Sequence, residues 1–183
     1  GMITHAESST GIEEIAEGIY RINTPVAEIP GGFSFNRYLI VDDEPLLFHT
    51  GPRGMFSLTR QAIEAVLPLA RLRWIGFSHH ENDEDGAMND LLAVALAATP
   101  LCGRISAMLN GETYARPPRA LADDEALAIG KRTLRWLDTP HLPHGWECGY
   151  LFETTGRTLL CGDLFTQGGA TTPAITDADV LGP

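Results

Sequence analysis

An α/β layered domain is the fold class that these residues predict, and three observations predict it. β-rich runs alternate with helix-periodic runs between Leu46 and Asn110, and consecutive strand-like runs fill the first 50 residues and the stretch after Lys131. Of the 183 residues, 44% are hydrophobic, which is enough apolar material to bury a real core in one domain.

The elements follow in order. Residues 1–10 read as a flexible polar start, with Gly1 before Met2 an expression scar, and 11–183 as a single domain. "GIEEIAEGIYRINTP" alternates apolar and polar residues imperfectly, and "FSFNRYLIVDDEPLLFHTG" holds two short β-rich runs around a turn. From Gly54 to Leu67, Met55, Leu58, Ala62, Ile63 and Val66 recur at helical spacing, and Pro68 ends the run. "LRWIGFS" is a short buried strand, "GAMNDLLAVALAA" a helix, "PLCG" a brief strand and "RISAMLN" a short helix. "RPPRALADDEALAIG" reads as a connector, "KRTLRWLDTP" as a strand, and "ECGYLFETTGRTLLCGD" as a hairpin turning at Thr155-Gly156. From Thr166 onward no element is legible.

Composition narrows the function. With 24 Asp and Glu against 13 Lys and Arg, the formal charge of −11 argues against a nucleic-acid surface. No run reaches the roughly 18 apolar residues of a membrane-spanning helix, and the start lacks the basic and apolar parts of a signal peptide. The expected address is the cytoplasm, with no membrane partner. Cys102, Cys148 and Cys161 stand at wide spacings with no CxxC pair, so reduced thiols are expected.

The densest chemistry is "FSHHENDEDGAMNDLL". The strand before it ends near Ser78 and a helix begins near Gly86, so the polar residues occupy a loop at a strand's C-terminal end, where α/β sheets place ligands. In an extended loop His79, Glu81 and Asp83 project to one side, forming half of a metal site, while His80 points the other way. Asp83, Glu84 and Asp85 equally suit a helix start, where carboxylates cap free N–H groups and complement the dipole. A second cluster follows, because His141 and His144 come after the strand "RTLRWLD" and Asp163 ends the apolar run "LLCGD". Each has an ordinary reading as a loop or turn residue, but three strand ends now carry a candidate ligand. His49, ending another strand, reads as a satisfied rim histidine, with support of the ligands as the alternative.

The order His79-x-Glu81-x-Asp83, then His144, then Asp163 after eighteen intervening residues, resembles the metallo-β-lactamase-fold superfamily. Glu81, where hydrolases of that fold carry a second histidine, resembles the flavodiiron and oxygen-binding diiron branch. The resemblance runs from about Ile12 to Asp163 and implies an αβ/βα sandwich. It implies a first metal held by His79, Glu81 and His144, with Asp163 bridging to a second metal that Asp83 also binds. His144 fits the spacing better than His141, which then becomes a supporting or structural histidine.

Two departures bear on the second metal. The flavodiiron pattern has a histidine directly after the aspartate, where this chain has Glu84, and a last histidine well downstream, which these 183 residues do not include. Glu84 either ligates through oxygen or caps the helix. The resemblance also implies further strands and a helix beyond these residues, and a curtailed half-sandwich exposing apolar surface would favour a homodimer.

Two imidazoles with several carboxylates and no thiolate suit one or two iron ions, with zinc or manganese as alternatives. The resemblance therefore implies a non-haem iron protein, diiron when intact, that binds or activates a diatomic such as O2 or NO. No Gly-rich phosphate loop follows a strand here, so a redox or signalling protein partner would complete it. The alternative is a hydrolase of the same fold, in which a metal-activated water attacks an ester, thioester or lactam and Asp83 takes the proton. A third reading is a degenerate, metal-free interaction module, supported by Glu84 and the absent last histidine.

Overall fold

The computed structural model describes residues 2–5, 10–26, 32–78, 80–138, 149–154 and 158–160. Strands β1 (Met2–His5), β2 (Thr10–Ala16), β3 (Ile19–Val26), β4 (Phe33–Ile40) and β5 (Leu46–Phe48) form an antiparallel meander. Strands β6 (Trp74–Gly76), β7 (Thr99–Gly103) and β8 (Arg119–Leu121) extend it in parallel, so the eight strands lie side by side in chain order. Each parallel step needs a crossover. Helix α1 (Phe56–Glu64) supplies the first, α2 (Asn82–Asp85) and α3 (Met88–Val94) the second, and α4 (Arg104–Asn110) the third. Strands β9 (Ala126–Ala128), β10 (Thr133–Asp138), β11 (Gly149–Glu153) and β12 (Thr158–Leu160) make a second, antiparallel sheet in the order β12-β11-β10-β9.

Period-two alternation divides the side chains of the large sheet between two cores. Leu39, Leu47 and Ile75 face the helices and pack with Ile63, Leu91 and Leu92. Their chain neighbours Ile40, Leu46, Phe48 and Trp74 face the second sheet and pack with Leu127, Leu134, Trp136, Leu151 and Leu160. Each fully buried Leu, Ile or Phe contributes about 1.5–3 kcal/mol, so both faces of β4, β5 and β6 are committed. Gly103 is small for a reason: a Cβ there would lie 3.0–3.2 Å from the Trp136 ring. Helix, sheet and sheet make three of the four layers of an αβ/βα sandwich among the described residues.

Polar clamps hold the two sheets together at one end. The Asp42 carboxylate, in the turn between β4 and β5, accepts the N–H groups of Lys131 and Arg132 at 3.0 and 2.9 Å. The Glu44 N–H donates to the Ile129 carbonyl at 2.8 Å. Arg132 donates to the Glu17 carbonyl and pairs with buried Glu153 at 3.2 Å. Gly130, at φ 138°, has no room for a Cβ beside the Asp42 carboxylate.

The expected elements appear with shifted edges. The helix expected from Gly54 starts with a 3-10 turn at Arg53–Met55 and is α-helical over Phe56–Glu64. The hairpin of β11 and β12 pairs Leu151 with Leu160, while its expected Thr155-Gly156 turn lies outside the described residues. Three things differ. The polar segment at the start contributes β1, paired with Thr10–Glu13 of β2. The expected connector contains β8 and β9, which bury Leu121 and Leu127. Helix also begins earlier than Gly86, with the single turn α2, because the Glu81 carbonyl accepts the N–H groups of both Glu84 and Asp85.

Candidate metal centre

The loops that follow the parallel strands carry the candidate residues. Strand β5 runs into His49, Thr50 and Gly51, and β6 runs into Phe77, Ser78 and the acidic loop. Strands β10 and β12 end on the same rim. Trp136, two residues before the end of β10, lies over Gly103 at the end of β7. Leu160, the last residue of β12, pairs with Leu151, and a Cβ on Gly76 at the end of β6 would lie 3.5 Å from Leu151 Cδ1. The described parts of β10 and β12 thus end at this rim, before the segments that carry His144 and Asp163 in sequence. Those two residues, His79 and His141 lie outside the described residues.

Glu81, Asp83 and Glu84 are described, and the three do not behave alike. Glu81 has extended backbone, φ −151° and ψ 148°, and is the residue before α2; its Oε2 is shielded from solvent. Asp83 is part of α2, so the extended run that would put it on the same side as Glu81 ends at Glu81 itself. The expected extended spacing therefore does not run on to Asp83, because the backbone bonds to the Glu81 carbonyl turn the chain into a helix from Asn82. Glu84 is 1% exposed, with Oε2 3.6 Å from His49 Nε2, and its backbone carbonyl accepts the Thr50 N–H at 2.7 Å.

His49, at the end of β5, is a satisfied histidine. It is buried, takes the left-handed conformation at φ 68°, stacks on Phe48 with centroids 4.2 Å apart, and bonds Ser78 Oγ at 3.1 Å. A non-glycine residue at positive φ is strained, and such strain is concentrated at functional loops. Thr50 continues the brace: its Oγ1 accepts the Ala87 N–H at 3.0 Å and donates to the Gly51 carbonyl at 2.7 Å. Gly86 fits between α2 and α3 because a Cβ would collide with the Asn82 carbonyl.

Asp85 was expected to cap the helix, and it does something more specific. Its side chain is buried, with Oδ1 accepting the Glu81 N–H at 3.1 Å and Oδ2 accepting from Tyr114 Oη at 2.6 Å. His80 Nδ1 lies 2.6 Å from the same Oδ2. Tyr114 also packs on Phe77 at 5.4 Å. The sequence held no signal for Tyr114, which comes from beyond α4. Asp85, Asn82, Met88, Asn89, His80 and Tyr114 border a cavity of about 300 Å³ on that side.

Among the described residues no group of three His, Cys, Asp or Glu side chains converges on one point. What the described loop offers is oxygen: the solvent-shielded Oε2 of Glu81 and Oε1 of Glu84 within a run of four carboxylates. Concentrated, desolvated carboxylate charge is what a divalent cation neutralises, and oxygen-rich donors suit iron or manganese as well as zinc.

The class to which the fold belongs is the metallo-β-lactamase-like sandwich. Solved structures with this arrangement include flavodiiron proteins. The flavodiiron protein from Giardia intestinalis is 23% identical with a TM-score of 0.78, the match covering 88% of this chain and 42% of that one. Rubredoxin oxygen:oxidoreductase from Desulfovibrio gigas is 21% identical with a TM-score of 0.80, covering 88% and 43%. A metal-soaked flavodiiron core from Synechocystis is 18% identical with a TM-score of 0.68, covering 88% and 46%. The chain therefore spans less than half the length of these structural neighbours. No protein-family model matches the sequence. No curated protein matches it either. No helix of the described residues is long and apolar enough to cross a membrane.

Proposed function

We propose that the chain is the metal-binding part of a non-haem iron protein, diiron when complete, that binds or activates O2 or NO. The observation that carries this reading is Glu81. It stands between His79 and Asp83 in the order of the diiron pattern, on the loop after β6, in the fold shared with the flavodiiron protein and the oxygen oxidoreductase named above. His79, Glu81, His144 and Asp163 would hold the first iron, with Asp83, Asp163 and Glu84 toward a second. Ferrous iron, when bound, would bind the diatomic and pass electrons to it, becoming ferric. The chain's own residues shape the site: Phe77 and Tyr114 pack behind the loop, and His49 and Thr50 brace Glu84 and Ala87. Electrons would come from a redox protein partner.

Anaerobic loading with Fe(II) followed by O2 tests the reading. The expected result is at least one iron per chain and a new visible absorption band on oxygenation, both lost in His144→Ala. No band, together with turnover of a generic ester or lactam by zinc-loaded protein, would favour the hydrolase with Asp83 as proton acceptor. Less than about one ion per chain would favour a metal-free interaction module.

A further inference from the structure

We propose that Asp85 and Tyr114 are positioning residues for Glu81, setting the direction in which its carboxylate leaves the loop; the metal half of this inference rests on the iron reading above. Asp85 reaches both backbone polar groups of Glu81, whose carbonyl also accepts the Glu84 N–H at 3.0 Å. The Glu81 carbonyl accepts the Asp85 N–H at 2.9 Å, and the Glu81 N–H donates to Asp85 Oδ1 at 3.1 Å. This ring of two bonds fixes the peptide planes on either side of the Glu81 Cα, leaving its carboxylate only side-chain rotations.

Asp85 is itself held from outside the loop. Its other oxygen accepts the Tyr114 hydroxyl at 2.6 Å, and the Tyr114 ring is fixed by Phe77 at the root of the same loop. The two ends of the brace are therefore the floor of the loop and the segment between α4 and β8. Short bonds to a carboxylate are about twice as strong as neutral ones, so the Tyr114 contact is strong enough to hold a rotamer. His80 Nδ1 meets the same Oδ2, but its side chain is 41% exposed, so the buried tyrosine is the firmer anchor. An aspartate at this position is needed because two separate acceptor oxygens serve two donors in different directions.

A brace of this kind acts on ligand geometry more than on global stability, and loss of such partners characteristically weakens metal binding 10–100-fold. The test compares the full chain with Tyr114→Phe, Asp85→Ala and Asp85→Asn. In the metal-free proteins, hydrogen exchange at the Glu81 amide is read by NMR. It is expected to quicken at least about tenfold in Asp85→Ala and to recover in Asp85→Asn, which keeps an acceptor for that N–H. In the loaded proteins, Co(II) affinity and the ligand-field spectrum are read. Tyr114→Phe, which keeps the ring packing, should weaken binding about 10–100-fold and shift the spectrum. Unchanged Glu81 exchange in Asp85→Ala would overturn the inference whether or not metal binds. Altered exchange with unchanged Co(II) affinity and spectrum would overturn its metal half. A parent chain that binds no ion would instead sink the iron reading, and the positioning role would still be decided by the exchange data.

Discussion

The Arg37 guanidinium is fully buried on β4, where it donates to Thr24 Oγ1 at 2.7 Å and meets Met55 Sδ at 3.9 Å without a carboxylate among the described residues. Burial pulls its pKa well below the ordinary guanidinium value, to about 9. Because the folded value lies below the unfolded one, the penalty is complete at neutral pH and is relieved only as pH rises through about 9 toward the unfolded value. Arg37→Met is therefore expected to be neutral or to stabilise the fold by about 1–3 kcal/mol in urea melts at pH 7. A destabilised variant would contradict this account. Buried charge of this kind was not legible in the sequence, since "FNRYLI" alternates as an ordinary half-exposed strand does. Glu81, Asp83 and Glu84 were legible as a rim loop, because an apolar run ends just before them. Their unequal orientation was not, since it depends on α2 starting at Asn82.

Among the elements, the turn between β4 and β5 and the turn between β9 and β10 form one unit. Desolvation pushes the Asp42 carboxyl up. The N–H groups of Asp43, Arg132 and Lys131, and the charge of Arg132, outweigh it and hold the carboxyl below its ordinary 3.8. A depressed folded value contributes stability that is present above the unfolded value and is lost as pH falls through the folded one. Asp42→Asn, left with one acceptor oxygen, should lower stability by about 1 kcal/mol at pH 7 and flatten the loss between about pH 5 and 3. A urea midpoint that tracks the parent's across that range would count against the clamp. This contact joins residues some ninety positions apart, and no local pattern announces it. β8 and β9 escaped sequence analysis for a related reason: three residues are too few to show alternation, and the parallel pairing of Leu101–Gly103 with Arg119–Leu121 is what makes β8 a strand.

At the scale of the whole molecule, the layered α/β class was legible because helical spacing and apolar strand runs agree over Leu46 to Asn110. The division into two cores was less so, since a strand buried on both faces shows no polar side. Four neighbouring carboxylates in a packed loop also set a global expectation for the metal. If the ion relieves their repulsion, chelation of loaded protein should lower the melting temperature by about 5–10 °C, and a change within about 1 °C would deny the ion a structural role. The chain order of the large sheet has a consequence for biosynthesis. Every strand from β2 to β8 pairs with the one made just before it, so the described part of this sheet can assemble stepwise as the ribosome releases it, and all eight described strands are made once Leu121 has emerged. His144 and Asp163 are made later than that. On the iron reading, a nascent chain stalled soon after Leu121 would display these eight strands with an unfinished set of ligands, and iron capture would report that synthesis had run at least to Asp163.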